Sequence, residues 1–303
     1  MVPEHIEANH ESWSVGAGRS GSVERFMDLG ALFTLEPHGP DTFVGAGPRY
    51  PWGGLYGGQI VAQALRAAAA TVDSELAVHS LRAYFIRRGD ASEPVRYEVD
   101  RIRNGRSFST RRVVARQAIG AILNLEASFQ RPETDFSLQT VHMPADVPPP
   151  GAPDRDNWTT SFDRYEVPSG QLSRPAVGAG RTAAWMRVTD DLAEEPLVHQ
   201  CWLAYMSDDL PSETVRQALL EHEPPGTDHD TWWQGGFGAS LDHSIWFHHA
   251  VRADQWHLYD FACHGYVGGR GLSVGHVFSA DGLHVATVTQ EVLVRTKRTH
   301  PSA

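Results

Sequence analysis

An internal repeat constrains this sequence more than any other feature. His79-Ser80 recurs as His243-Ser244, an offset of 243 − 79 = 164 residues. One offset held without a gap over a long span indicates that a structural unit has been duplicated. Two copies of such a unit can pair their sheets and cover edges that each alone would expose. The pairs that keep the offset also include Arg88 and Arg252, Asp90 and Asp254, Gly105-Arg106 and Gly269-Arg270, Ser109 and Ser273, and Val113 and Val277.

Each copy reads as a helix followed by antiparallel strands. In the first copy, apolar and alanine residues recur at helical spacing after Gly58, which predicts a helix. β-branched and aromatic runs then predict strands, with a hairpin turn at Asn104-Gly105. One helix with consecutive strands is an α+β pattern and not a doubly wound βαβ pattern. The expected strands are 33–36, 41–45, 78–86, 95–102, 107–116 and 121–130.

The second copy repeats this order after a proline-rich interval. Residues 184–188 predict a strand, and apolar residues from Val198 to Met206 share one helical face. An insertion at about 211–240 contains Trp232-Trp233. It predicts a packed loop, with a mobile lid over a binding site as the alternative. The expected organisation is a loose lead-in at 1–30, a first domain at 31–131, a linker at 132–160 and a second domain at 161–298.

The composition and charge of the chain limit the classes of partner that it can bind. Hydrophobic residues make up 41% of the 303 residues and charged residues 21%, a globular balance. A net charge of −11 argues against nucleic acid or anionic membranes as partners. No apolar run predicts membrane insertion, the N-terminus does not resemble a signal peptide, and two cysteines suit a reducing cytoplasm. A substrate with phosphates needs a local basic patch, for which the candidates are Arg82, Arg87, Arg88, Arg111 and Arg112.

Several motifs, taken in order, resemble those of one family. They are GGLYGGQIVAQAL, VHSLRAYFIRRGD, NGRSFSTRRVVARQ, LDHSIWFHHAVRADQWHLYD and VTQE. Together they resemble the type II, TesB-like acyl-CoA thioesterases from about Phe33 to Arg295. The resemblance implies a double hotdog, in which each half wraps a curved antiparallel sheet around one long helix. It also implies hydrolysis of acyl-CoA to a free acid and CoA without a metal or organic cofactor. A homo-oligomer is expected, because hotdog proteins commonly associate through sheet edges.

The resemblance also implies which residues activate water. The family's aspartate falls on Asp242 of the D-H-S motif, and its glutamine falls on Gln290 of V-T-Q-E. A hydroxyl residue is expected shortly after W-x-L-Y, where this chain instead has Cys263 and His264. A carboxylate can take a proton from water while an amide directs its attack. Asp242 and Gln290 are therefore the expected catalytic pair, with Cys263 or His264 at the third position.

Glycines before the first helix suit substrate binding. Gly57, Gly58 and Gln59 stand at a helix start, where backbone N–H groups can hold an oxyanion. Arg88 completes the expected substrate-binding set. The repeat assigns the chemistry to the second half alone. The 164-residue offset pairs Asp242 with Val78 and Gln290 with Glu126.

Other chemistries fit the residues less well. Cys263 and His264 are neighbours in a strand and should face apart, which favours an inert buried thiol over a nucleophile. Metal binding is not expected, because the spacing of His243, His248, His249 and His257 matches no ligand set. GGLYGGQ also lacks the Lys-Ser/Thr ending of a phosphate loop.

Two alternative functions remain open at this stage. A non-catalytic double hotdog that binds acyl-CoA would explain the missing hydroxyl residue near Cys263. Hydration of an enoyl-CoA is less favoured, because hydratases of this fold usually carry an aspartate and a histidine five residues apart. Phe247 stands in that position after Asp242.

Overall fold

A computed structural model describes residues 31–154, 157–224, 227 and 236–296. The expected lead-in at 1–30 and the Trp232-Trp233 pair lie outside those residues. Three α-helices are described: α1 (Gly57–Ala69), α2 (Pro196–Met206) and α3 (Pro211–Leu220). The strands are β1 (Glu36–Pro37), β2 (Thr42–Gly45), β3 (Ala77–Phe85), β4 (Val95–Asn104), β5 (Phe108–Gln117), β6 (Gly120–Gln130), β7 (Phe162–Glu166), β8 (Ala179–Val188), β9 (Phe237–Ser240), β10 (Asp242–Phe247), β11 (His257–Val267), β12 (Arg270–Ser279) and β13 (His284–Arg295).

The strands form one antiparallel sheet with an internal two-fold pattern. Its order is β1-β2-β4-β5-β6-β3-β10-β13-β12-β11-β8-β7, with β9 added beside β13. The centre of the sheet is the β3–β10 pair. Each strand of the first half and its duplicate in the second half lie the same number of strands away from this centre. Leu81 pairs with Ile245 in the centre, and 245 − 81 = 164, so the duplicated residues face each other across the axis. This is the double hotdog that the sequence predicts.

The two long helices lie together on the inner face of the sheet. Most of α1 is buried, and α2 is buried from Cys201 to Met206. Tyr56 and Tyr205 pack edge-to-face across the junction, with ring centroids 4.9 Å apart. Gly58 permits this approach, because a Cβ there would lie 2.2 Å from the backbone oxygen of Tyr205. The helices thus meet where α1 begins and α2 ends.

Two predicted segments differ in the structure. The expected strand at 33–36 is mostly wrong: Ala31–Phe33 form a 3-10 helix and only Glu36–Pro37 pair as a strand. Part of the expected loop at 211–240 is the helix α3. It begins at Pro211, a residue favourable in the first turn, and buries Val215 and Ala218 against the sheet.

The proline-rich interval packs against the second half. Gln139 donates to the carbonyl of Gly282 and accepts from the N–H of His284. Asp146 pairs with Arg181 at 2.8 Å. The sheet continues across both halves, while the domain boundaries at 131 and 160 stay predictions. No helix in the described part of the chain is long and apolar enough to cross a membrane.

Replacing Gly58 with alanine tests the α1–α2 junction. The new methyl would meet a backbone oxygen that cannot rotate away, so we expect a loss of about 1–3 kcal/mol in the free energy of unfolding. Helix propensity alone predicts a gain of about 1 kcal/mol. Urea denaturation measures the difference. Gly170→Ala is the control, because no atom lies within 4 Å of that site. A Gly58→Ala protein as stable as the wild type would contradict this packing.

Candidate active site

A polar row crosses the inner face of the second half. Ser273 pairs with Gln290 on one side and with Cys263 on the other. His243 follows in the next strand, where it hydrogen-bonds Gln290. All four side chains are buried. Opposed residues of neighbouring strands share a face of the sheet, so this row lies under the helices.

Asp208 stands above that row, two residues beyond the end of α2. The backbone N–H of Gly58 and the side-chain amide of Gln290 both face its carboxyl group and lower its pKa. Ser240 donates a long bond of 3.4 Å to Asp208 Oδ1. Gln290 Nε2 in turn donates to Ser240 Oγ at 2.7 Å. A carboxyl, an amide and a hydroxyl therefore converge at one buried point between the helix ends.

Burial sets the protonation of Asp208. Desolvation raises the pKa of this carboxyl to about 7, and the charge of the neighbouring Asp209 raises it further. The hydrogen bonds from Gln290, Gly58 and Ser240 act in the opposite direction. A carboxyl with a pKa near neutrality is suited to accept a proton during catalysis.

Asp209 points to a different set of partners. Its Oδ1 accepts from Trp158 Nε1 at 2.6 Å, and its Oδ2 accepts from Arg164 Nε at 2.9 Å. That ion pair leaves Asp208 as the member of the acidic pair that joins Gln290 and Ser240.

Asp242 lies on the other face of the sheet. Its Oδ1 accepts from the backbone N–H of Glu291 at 2.7 Å, and the residue is only partly buried. Since side chains alternate along a strand, Asp242 faces away from its neighbour His243 and from Gln290. The expected pair of Asp242 and Gln290 is therefore not brought together. Gln290 meets Asp208 instead.

The expected third position is also elsewhere. Cys263 shares the inner face with Gln290 but is two strands away, about 10 Å at the usual strand spacing. Its Sγ contacts the carbonyl of Gly265 at 3.4 Å, and burial raises the pKa of the thiol. His264 is exposed. The hydroxyl group that Gln290 contacts belongs to Ser240, at the end of β9 beside β13.

The glycines at the start of α1 leave space for the carboxyl group of Asp208. A Cβ on Gly57 would lie 2.5 Å from Asp208 Oδ2, so glycine allows the approach. The side chain of Gln59 is buried in the core, where it accepts from Tyr50 and donates to Gln63. The expected substrate-binding role can therefore fall only on backbone N–H groups of this turn.

The expected basic patch is divided by the fold. Arg88 is exposed and donates to the carbonyl of Trp52 at 2.5 Å. Arg111 is buried and bonds Thr71 through both its hydroxyl and its carbonyl. Arg82 lies over the ring of Trp246. Arg112 is exposed but pairs with Asp100. Arg87 and Arg88 are therefore the remaining exposed candidates for binding phosphates.

The first half has no equivalent site. Thr71 stands two residues after α1, where Asp208 stands after α2. Ser109 pairs with Phe129, as Ser273 pairs with Gln290. Phe129 is therefore the structural counterpart of Gln290, and the correspondence with Glu126 is wrong. The first half has three more residues between the paired positions, since 129 − 109 = 20 and 290 − 273 = 17.

The histidines considered as metal ligands have other partners. His248 contacts the hydroxyl of Thr287, His249 contacts the carbonyl of His284, and His257 contacts the carbonyl of Gln255. Within the described ranges, no group of three or more His, Cys, Asp or Glu side chains is arranged to hold a metal ion.

Comparison with known proteins identifies the family. Residues 47–130 match the acyl-CoA thioesterase N-terminal domain, and residues 143–294 match the acyl-CoA thioesterase C-terminal domain. This chain belongs to the acyl-CoA thioesterase family. Acyl-coenzyme A thioesterase 8 of Mus musculus is 35% identical over 299 residues, covering 88% of each protein. Acyl-CoA thioesterase 2 of Haemophilus influenzae is 35% identical over 259 residues, covering 80% of this chain and 87% of that protein.

A solved structure agrees in fold. The acyl-CoA thioesterase II TesB2 from Mycobacterium marinum has a TM-score of 0.77 and 35% sequence identity, covering 91% of this chain and all of that chain. The tesB protein of Mycobacterium avium subs paratuberculosis has a TM-score of 0.72 and 30% identity, covering 88% of this chain and 98% of that one. Both solved thioesterase structures thus share this fold over most of the chain.

Sequence reasoning missed Asp208 and Ser240 in this thioesterase, although one signal was present. Asp208-Asp209 follows a strongly apolar helix, with only Ser207 between them. Acidic residues at a helix C-terminus oppose the helix dipole, so an acidic pair there is unfavourable for stability. Such a cost is typical of functional residues. Ser240 offered no comparable signal beyond its position two residues before Asp242.

The raised pKa of Asp208 predicts a cost to stability above neutrality. The pKa of about 7 in the folded state exceeds the ordinary aspartate value of 3.8. The folded state therefore holds the proton more tightly, and stability falls as pH rises between these values. Three pKa units set an upper bound of about 4 kcal/mol. We expect Asp208→Asn to gain stability relative to the wild type between pH 4 and pH 8.

Urea denaturation across that pH range measures this change. Other titrating groups cancel in the difference between the two proteins. Asp254→Asn is the matched control and should change stability in the opposite direction, because the hydrogen bond from Arg252 lowers the pKa of the Asp254 carboxyl group. Parallel stability curves for the wild type and Asp208→Asn would show that the carboxyl of Asp208 titrates normally.

Proposed function

We propose that this acyl-CoA thioesterase hydrolyses its substrate with a water held by Asp208, Gln290 and Ser240. The observation that carries the proposal is the convergence of these three side chains beside the start of α1. Asp208 acts as the general base. The amide of Gln290 and the hydroxyl of Ser240 direct the water and the carboxylate.

The reaction follows from these roles. Asp208 takes a proton from the water while the water oxygen forms a bond to the carbonyl carbon of the thioester. The carbonyl electrons move to oxygen, giving a tetrahedral oxyanion. The oxyanion collapses, the carbon–sulfur bond breaks, and the CoA thiolate leaves. The protonated Asp208 returns its proton to the thiolate, so the products are a free acid and CoA. Holding water in a fixed direction supplies several kcal/mol of such a barrier.

The start of α1 can stabilise the oxyanion. The first N–H groups of a helix have no partner within the helix, and they carry partial positive charge. The N–H of Gly58 faces the carboxyl group of Asp208. We assign the oxyanion to the adjacent N–H groups of Gly57 and Gln59, which lie in the same turn. Donors placed in a dry site are worth about 3–4 kcal/mol each.

The substrate class follows from the family. The relatives are named for acyl-CoA, and we extend that substrate, with a fatty acyl chain, to this protein. The exposed Arg87 and Arg88 are candidates for binding the CoA phosphates. Such local positive charge is needed because the net charge of the chain is −11. We also propose a homo-oligomer in the cytoplasm. The two cysteines, Cys201 and Cys263, are free and buried, as a reducing compartment permits.

Substitutions at the three side chains test the proposal. We expect Asp208→Asn to lower kcat/KM for an acyl-CoA by at least about 1000-fold, because it removes the base. Ser240→Ala and Gln290→Leu should each cost about 10- to 1000-fold, because they remove orienting groups. A thiol-release assay on purified protein measures each rate.

Two matched controls make this test specific. Asp242→Asn changes the same residue type on the opposite face of the sheet. Ser273→Ala removes a buried hydroxyl that has no hydrogen-bond partner in the described residues. Both should keep activity near the wild-type level. Loss of activity in Asp242→Asn with retention in Asp208→Asn would overturn the assignment.

The pH dependence supplies a separate prediction. Asp208 must be ionised to accept a proton, and its pKa is about 7. We therefore expect kcat/KM to rise with pH and to level off above about pH 8. Stopped assays between pH 5 and pH 9 give the profile. A profile that is already flat at pH 5 would show that no group with a raised pKa controls the reaction.

The alternative functions give different outcomes in the same assays. A protein that only binds acyl-CoA would show saturable binding without thiol release. An enoyl-CoA hydratase would consume an enoyl-CoA without releasing thiol. The comparisons favour neither alternative.

A further inference from the structure

His243 is a buried residue that the proposed reaction does not use directly. Its Nδ1 lies 2.5 Å from Gln290 Oε1, and its Nε2 lies 2.9 Å from Ser207 Oγ. The side chain is fully buried. Resting on the proposed function, we propose that His243 is a positioning residue that sets which end of the Gln290 amide faces Asp208.

The hydrogen atoms available to each group decide the direction of these bonds. The carbonyl oxygen of Gln290 accepts only, so Nδ1 of His243 must carry the hydrogen. Nε2 then has a lone pair, which accepts from the hydroxyl of Ser207. Burial also holds the pKa of His243 down, to about 4, so the ring is neutral during catalysis. Ser207 and His243 together select one tautomer.

This tautomer determines what Gln290 presents to the base. With its carbonyl held by His243, the amide turns both N–H groups toward Ser240 and Asp208. Those bonds favour the ionised carboxyl group, because a donor stabilises negative charge.

A second arrangement shows why the selection matters. Ser207 Oγ also lies 3.1 Å from the carbonyl of Ala204. If Ser207 donated there, Nε2 of His243 would carry the hydrogen and Nδ1 would accept from a reversed Gln290. The amide carbonyl would then face the Asp208 carboxylate. Two acceptors in contact repel each other, so this arrangement disfavours the ionised base that the reaction requires.

His243 acts through Gln290 and not on the water. Both of its ring nitrogens are occupied by Gln290 and Ser207. The residue also precedes Ser244, which lies on the other face of the sheet. A structural role alone would require only that this buried space be filled by a polar group. A positioning role requires a donor at the place of Nδ1.

Two amide substitutions separate those roles. The side-chain nitrogen of asparagine can occupy the place of Nδ1, and that of glutamine can occupy the place of Nε2. We expect His243→Asn to keep most of the wild-type kcat. His243→Gln should lower kcat by about 100-fold with little change in KM. Its acidic pH limb should also move upward by about one unit, since Asp208 loses a charged hydrogen bond.

The control is His257→Gln. His257 is a buried histidine on β11, bonded to the carbonyl of Gln255. This variant should lose stability without moving the pH limb. Equal kcat and equal pH limbs in His243→Asn and His243→Gln would overturn the positioning role.

A spectroscopic measurement keeps the proposal testable if either variant fails to fold. The ¹⁵N spectrum of the wild-type protein at pH 8 should show His243 protonated on Nδ1 and unprotonated on Nε2. The opposite tautomer would overturn the proposal. Failure of the proposed function is recognised separately, because Asp208→Asn would then remain active. An inactive Asp208→Asn with an unaffected His243→Gln would refute only the role of His243.

Discussion

The whole site depends on one buried contact, in which the carboxyl of Asp208 meets the start of α1. The contact exists because Gly57 and Gly58 have no side chains. A Cβ on either residue would fall within 2.5 Å of Asp208 or of the backbone at Tyr205. The first half thus supplies the helix start and the second half supplies the acid. Neither half alone contains the site.

That contact balances opposing electrostatic effects. Loss of water and the end of α2 disfavour the charged carboxyl, whereas the start of α1 and the amide of Gln290 favour it. The result is a carboxyl that titrates near neutrality. A fully solvated aspartate would be a weaker base, and an unpartnered buried one would stay protonated. The position between two helix ends therefore sets the chemistry of Asp208.

The two duplicated halves share the same fold, but their sequences have diverged so that the proposed site residues occur in the second half. The first half keeps a histidine at position 79, but it contacts Ser128 and has no glutamine to orient. Phe129 fills the place of Gln290, and Thr71 fills that of Asp208. Arg111 binds Thr71 and ties α1 to β5. In the first half, the positions that correspond to the proposed catalytic residues therefore serve packing.

The sequence by itself determined the duplication, the α+β class, the α1 and α2 helices and most strands. These features depend on local periodicity and on repeats, which are visible without coordinates. Resemblance to the family also predicted Gln290, which lies in the proposed site. The sequence did not determine which acid meets Gln290, because residues 208, 240 and 290 come from three separate elements.

Only the tertiary structure decided between Asp208 and Asp242. Asp242 belongs to the recognisable D-H-S motif, but the alternation of side chains along β10 directs it to the outer face of the sheet. A shift of one residue in the register of this strand would reverse that direction. The register of β10 against β13 sets which side chain meets Gln290, and His243 is the one selected. Strand register also explains why Phe129 is the counterpart of Gln290. The first half has three extra residues between the paired positions of β5 and β6, so the simple 164-residue offset pointed to Glu126 instead. Strand register and the packing of helix ends are long-range properties, and no local pattern in the sequence contains them.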